Sequence, residues 1–278
     1  MAIPAKVEAP GFTATLWYPA ESGSETRFGV GRIRPGYLAV AEGMPRLAPA
    51  APLIVLSHGT GGSAQSLAWL ATSLARHGAL VVAADHPTSS GGDPERASMM
   101  LMAGARLDFA RFPAFCKSYD DGACRAFARY FEDVDSGFYT RSNADLSEPR
   151  LRAAVAIAPG FTEAFTAESL RAMPTPLLLI TGERDQQLPP PTHVHPMQHL
   201  LPTNSGYREI GGAQHFSFLP LCGDDAIALL AESNEEFVCQ VFGDKSRPEI
   251  HAERLQAITT FLGEHNVWPV FGGGEPRH

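Results

Sequence analysis

The run PLIVLSHGTGG, Pro52–Gly62, and the pattern behind it set the architecture of this chain. Pro52 to Leu56 is apolar and β-branched, the composition of a buried strand. Ser57-His58-Gly59-Thr60-Gly61-Gly62 ends it with glycines that permit a tight turn. Leu67, Leu70, Ala71 and Leu74 then recur at helical spacing, with His77 and Gly78 as last turn and stop. Ala79–Asp85, ALVVAAD, predicts a second buried strand. Strand, glycine turn, helix and strand make a βαβ unit, so the fold class is α/β with a mostly parallel sheet.

The turn has a chemical reading. Small residues after a parallel strand let backbone N–H groups face an open crevice, where they can hold an oxyanion during acyl transfer. A phosphate loop is the rival. Neither G-x-G-x-x-G nor a Walker Lys-Ser/Thr is present at this turn. A purely structural turn is the plain alternative.

LSHGTGG followed by LATSLARHGALVVAADHP resembles the third-strand to fourth-strand region of α/β-hydrolases. The likeness is to dienelactone-hydrolase-like and platelet-activating-factor-acetylhydrolase-like esterases. It implies an α/β-hydrolase fold in which Thr60, after His58-Gly59, donates a backbone N–H to the oxyanion, with Gly59 beside it.

Bulk properties narrow the function. The chain has 278 residues, 44% hydrophobic and 19% charged, enough for a sizeable core. A net charge of −8 argues against nucleic acid or an anionic membrane as partner. No apolar run reaches the ~18 residues of a membrane span. MAIPAKVEAPGF lacks the pattern of a signal peptide. Four cysteines, Cys116, Cys124, Cys222 and Cys239, allow three pairings and leave periplasmic, secreted and cytoplasmic locations open. Cys116/Cys124 and Cys222/Cys239 would each close a short loop. Sequence does not fix the oligomeric state.

Along the chain, Phe12–Pro19 reads as an edge strand, and Glu21–Ala51 as mostly loop with a short strand at Tyr37–Ala41. Arg96–Leu107 predicts a helix. Leu107–Tyr139 is dense in aromatics, which suit a helical cap, inserted at about 106–149 in a single domain. Such a cap can also be a lid over an acyl pocket. Leu151–Ala158 and Pro176–Thr181 predict buried strands around a helix at Thr162–Met173, and Gly206–Ile210 predicts a short strand. Ser246-Arg247-Pro248-Glu249 resembles a capping box opening a last helix. That helix has Leu255, Ile258 and Leu262 inward, Gly263 as its stop and a loose tail at Phe271–His278.

Two late turns carry titratable groups: Gly182-Glu183-Arg184-Asp185, and Gly211-Gly212-Ala213-Gln214-His215-Phe216. The resemblance makes Asp185 the acid and His215 the general base of a triad. Read without it, Glu183 serves equally as the acid. The chemistry suits the pair: an imidazole takes the nucleophile's proton while a carboxylate fixes its tautomer. His193, His195 and His199 form an H-x-H-x3-H cluster that admits a metal-dependent hydrolase. No interleaved carboxylate supports it, and Pro189, Pro190, Pro191 and Pro196 suggest an irregular segment. No cofactor is implied.

The nucleophile is missing. No G-x-S-x-G occurs, and Ser98 lies only 13 residues after Asp85, too few for a helix plus another parallel strand. SMMLMAGARLDFARF resembles the helix after the elbow and the cap segment behind it, so the elbow itself would fall at the Ser98–Met99 junction. Three accounts compete. A segment is absent from this sequence, the account favoured because losing a central strand removes core. A deletion has left a catalytically dead binding protein. Or the nucleophile is displaced to Ser98, Ser89 or Ser90, with Cys116 and Cys124 reading as structural. The expected function is hydrolysis of small or medium acyl esters by a serine-histidine-aspartate mechanism.

Overall fold

In a computed structural model, residues 5–9, 12–20, 25–40, 46–59, 62–85, 99–130, 143–241 and 243–267 are described. The strands are β1 (Ala5–Ala9), β2 (Phe12–Trp17), β3 (Glu25–Val30), β4 (Pro35–Val40), β5 (Leu53–Ser57), β6 (Leu80–Asp85), β7 (Ala154–Ile157), β8 (Leu177–Gly182) and β9 (Gly206–Ile210). The α-helices are α1 (Ala68–Arg76), α2 (Met99–Met102), α3 (Phe112–Phe115), α4 (Gly122–Tyr130), α5 (Ala167–Arg171), α6 (Val194–Gln198), α7 (Ala226–Ala231) and α8 (Arg247–Glu264).

The βαβ unit is as expected: β5 pairs parallel with β6, with α1 between them in sequence. α1 buries Trp69, Leu70, Ala71, Leu74 and Ala75, and Gly78 follows its cap in the left-handed region at φ 102°. β8 pairs parallel with both β7 and β9, and all six of its residues are buried, as its run of aliphatics requires. Among the described residues the parallel pairs fall in two sheets, β5 with β6 in β1-β2-β6-β5 and the three strands of β7-β8-β9.

Several expectations change. The strand at Phe12–Trp17 is internal to its sheet, antiparallel to both β1 and β6, instead of an edge. The 21–51 region contains a hairpin, β3 with β4, whose first strand the Gly- and Ser-rich sequence hides. Pro52–Leu56 is not wholly buried: Leu53 is 61% and Val55 42% exposed. Only Met99–Met102 of the Arg96–Leu107 helix is helical among the described residues, because Gly104 turns the chain at φ 109° against Pro174. The Thr162–Met173 helix is a 3-10 turn at Thr162–Ala164, then α5 behind a Thr166 cap. The last helix opens on the expected box, Ser246 N donating to Glu249 Oε2 at 2.8 Å, but runs through Gly263 to Glu264.

Two disulfides close, Cys116–Cys124 and Cys222–Cys239, with sequence separations of 8 and 17. Loops of that size restrict the unfolded chain by about 3 kcal/mol each. Reduction with a phosphine is therefore expected to lower the melting temperature, more for the longer loop; an unchanged melt sinks that assignment. In the 106–149 region, Phe109 and Phe112 are essentially fully buried and pack with Phe127 and Phe161 at centroid separations of 5.0–6.2 Å. The aromatics thus make a core. The expected aromatics at Phe131, Phe138 and Tyr139 lie outside the described residues, as does the tail at Phe271–His278.

Candidate active site

His215 and Asp185 arrive on separate turns, after β9 and β8, and meet. His215 Nδ1 lies 2.9 Å from Asp185 Oδ2, with the ring N–H donating. The Asp185 side chain is fully buried and the His215 side chain 29% exposed. Asp185 Oδ1 accepts from Gln187 N at 2.9 Å and Leu188 N at 2.8 Å, so both its oxygens are engaged and its plane is fixed. Nε2 of His215 remains for a reacting proton, the orientation general-base work needs. Glu183, the other acid considered, points elsewhere and accepts from Gly212 N at 2.8 Å.

The two turns interlock through their backbones. Glu183 N donates to Ile210 O at 3.1 Å and Arg184 N to Ala213 O at 2.9 Å. This approach requires a glycine at 182, since a Cβ there would stand 2.4 Å from Ala213 O.

The turn bearing His215 is held from behind. Phe218 O accepts from Trp69 Nε1 at 3.2 Å and Arg254 Nη1 at 3.0 Å, while His251 Nε2–H donates to Leu219 O at 2.9 Å. Trp69 is sandwiched, stacked on His251 at 3.8 Å and carrying the Arg254 guanidinium 4.2 Å from its centroid. Burial first, then the Arg254 charge, holds His251 down at about 3, so this ring is neutral. Sequence pattern misses this clamp because Arg254 occupies an inward position of α8, where an apolar residue is expected. The inward stripe is Ile250, Arg254, Ile258, Phe261 and Leu262, with Leu255 only partly buried.

A cavity of about 1030 Å³ opens beside His215, bordered by Gly59, Gly62 and Phe216 and running between β5 and β7. Gly59, expected beside the oxyanion donor, is one of the residues lining this cavity. Gly62 N closes the turn by donating to Gly59 O at 2.9 Å, and Asp85 Oδ1 anchors it by accepting from Ala64 N at 2.6 Å. Thr60, the expected oxyanion donor, lies outside the described residues, as do Ser98, Ser89 and Ser90. Among the described residues no hydroxyl hydrogen-bonds His215. All four cysteines are in disulfides, so Cys116 and Cys124 are structural.

The three-histidine segment does not gather. His193 is buried, its Nε2 2.9 Å from Asp121 Oδ2 and its Nδ1 3.3 Å from Glu163 Oε2, while His195 Nε2 contacts Glu209 Oε2 at 2.9 Å and Tyr207 Oη at 3.0 Å. Among the described residues no group of three or more His, Cys, Asp or Glu side chains is placed to hold a metal.

His193 serves instead as a latch for the 106–149 region. Asp121 also caps α4, accepting from Cys124 N at 3.0 Å. Burial disfavours the charged ring, but Glu163 and Asp121 outweigh burial and raise the His193 pKa. A raised folded value means the latch contributes fully below the ordinary histidine pKa and fades as pH rises through the folded one. The His193→Gln variant is expected to melt below the parent near pH 6, with the gap closing toward pH 9. A gap independent of pH would sink the charged latch.

Among curated proteins, cutinase est1 of Thermobifida alba is 28% identical over 166 residues, 59% of this chain and 53% of that protein. Cutinase 1 of Thermobifida cellulosilytica is 25% identical over 215 residues, 76% of this chain and 69% of that protein. A ferulic acid esterase from Streptomyces cinnamoneus superposes with a TM-score of 0.54 at 22% identity, covering 91% of this chain and 82% of that one. The fold is that of the α/β-hydrolases. The chain spans about half the length of the first curated relatives it matches. No known family's sequence profile matches it.

Proposed function

We propose that this α/β-hydrolase cleaves carboxylic esters of small or medium acyl length. The observation that carries the reading is the 2.9 Å His215–Asp185 contact at the rim of an open cavity. In the reaction a serine hydroxyl attacks the ester carbonyl, giving up its proton to His215 Nε2 as the tetrahedral oxyanion forms. Asp185 stabilises the resulting imidazolium. The backbone of the Gly59–Thr60 turn supplies an N–H to the oxyanion. The imidazolium then protonates the leaving alcohol, and water repeats the sequence to release the acid.

Resemblance to cutinases and a ferulic acid esterase supports ester substrates, and the apolar cavity supports an acyl chain. We read 106–149 as a cap over the site, within a single domain. The two disulfides favour a periplasmic or extracellular location. Among the described residues no helix is long and apolar enough to cross a membrane. The test is hydrolysis of p-nitrophenyl acetate or butyrate by the purified chain, with fluorophosphonate labelling of it. No hydrolysis above background and no labelling overturns the hydrolase and leaves a binding protein.

A further inference from the structure

Three arginines gather where no carboxylate meets them. Arg247, His251 and Arg254 stand at i, i+4 and i+7 on the buried face of α8. Arg34, in the turn before β4, joins them. Gly223 N donates to Ile33 O at 2.8 Å and Leu221 N to Tyr37 Oη at 3.2 Å, which draws the β3–β4 hairpin onto the 219–223 loop. Tyr37 lies within the field of all three guanidiniums. The acids near them in sequence are turned elsewhere: Glu249 accepts from Ser246, Glu253 pairs with Lys245, and Asp224 and Asp225 are exposed. Carbonyls meet part of the hydrogen-bonding demand. Arg254 Nη1 donates to Phe218 O at 3.0 Å, Arg247 Nη1 to Pro220 O at 2.8 Å and Arg247 Nη2 to Val238 O at 2.6 Å. Four nitrogens are buried with no partner: Arg254 Nε and Nη2, Arg247 Nε and Arg34 Nη1. Nε and Nη2 form one edge of a guanidinium, the edge that takes an anion through two parallel N–H groups. Burial without a counter-charge holds Arg254 down at about 9 and Arg247 at about 10. Carbonyls satisfy donors but leave the charge uncompensated, a costly arrangement in a protein interior.

We propose that these three arginines and Tyr37 bind one small inorganic anion of the halide class. It sits on the unpartnered edge of Arg254, with Arg247 Nε, Arg34 Nη1 and the Tyr37 O–H as further donors. Size and hydration select the halide. The four nitrogens are shut from water, so the occupant must be compact and must shed its own water readily. Chloride and bromide do so more easily than a sulfate or phosphate dianion. The route in is the cavity, which Arg34 and Arg254 both line. Arg34 is also the member whose guanidinium holds no backbone carbonyl among the described residues, so it can shift to admit the ion. Hairpin, loop and α8 come together only on folding, so the anion binds the native chain and stabilises it by mass action. The carbonyls that Arg254 and Arg247 hold belong to Phe218 and Pro220, just after His215, so the ion braces that turn. The inference stands independently of the ester-hydrolase reading.

The test replaces sodium gluconate by sodium bromide at constant ionic strength of about 0.2 M and follows the melting temperature of the whole chain. A rise of a few degrees that saturates, with a midpoint near about 10 mM, is expected. Bromide is not one of the excluded salts that stabilise proteins in general, so saturation marks a site. The Arg34→Leu variant should raise that midpoint at least about tenfold, because it removes a charged donor and no backbone contact. Crystals grown in bromide should show an anomalous peak within hydrogen-bond reach of Arg254 Nε and Nη2, and this peak in the parent decides the matter if the variant does not fold. No saturable rise, or the same midpoint in Arg34→Leu, overturns the site. A bromide peak without a saturable rise means an adventitious ion only and overturns it too. A saturable response to sulfate or phosphate with none to bromide overturns the halide.

Discussion

The His215→Ala variant is expected to lose about 10⁴-fold in kcat for p-nitrophenyl butyrate with KM little changed. The imidazole acts on a proton that moves only as the tetrahedral species forms, so its removal spares ground-state binding. Asp185→Asn should cost a similar factor by a different route. The carboxylate accepts from Nδ1–H, which leaves Nε2 as the basic nitrogen, and two backbone N–H groups hold that carboxylate in place. An amide in the same position no longer enforces the tautomer. Glu183→Gln, whose carboxylate contacts Gly212 instead, serves as the control and should keep most activity. A His215→Ala enzyme that still turns over near the parent rate would remove the proposed function.

The second large effect is structural. Gly182→Ala should destabilise the protein by roughly 2–4 kcal/mol, a fall of about 3–7 °C in melting temperature, and disrupt the His215–Asp185 contact. The new Cβ would meet the Ala213 carbonyl at 2.4 Å, and a backbone atom cannot swing aside as a long side chain can. Relief requires the 211–215 turn to retreat from β8, breaking Arg184 N to Ala213 O. Gly211→Ala is the matched control, because a Cβ there meets only the ends of Glu183 and Lys245, at 3.8 Å. Thermal melts of the two variants check this, and equal melting temperatures would refute it.

Much of the scaffold was legible locally. Pro52–Asp85 reads as βαβ because glycines, aliphatic runs and helical spacing all lie within a few residues of one another. The Ser246–Glu249 box is equally local. The site was legible in part: Asp185 and His215 stand out only because each follows a strand-ending glycine turn. Arg254 and Trp69 did not stand out, because their partners are a carbonyl and a ring brought close by folding. His193, a metal ligand on the H-x-H-x3-H reading, is a buried ion-pair partner of Asp121, 72 residues away in sequence.

By itself, the sequence determined the strand and helix types, the identity of the two late turns and the lack of a G-x-S-x-G elbow. Tertiary structure alone decided that Asp185 rather than Glu183 faces His215, which cysteines pair, and that a cavity between β5 and β7 opens beside His215. Periodicity reports how one segment meets its own surroundings. It does not report which parts of different segments face each other, and the cavity, the clamp and the acid–imidazole contact are all made by such meetings.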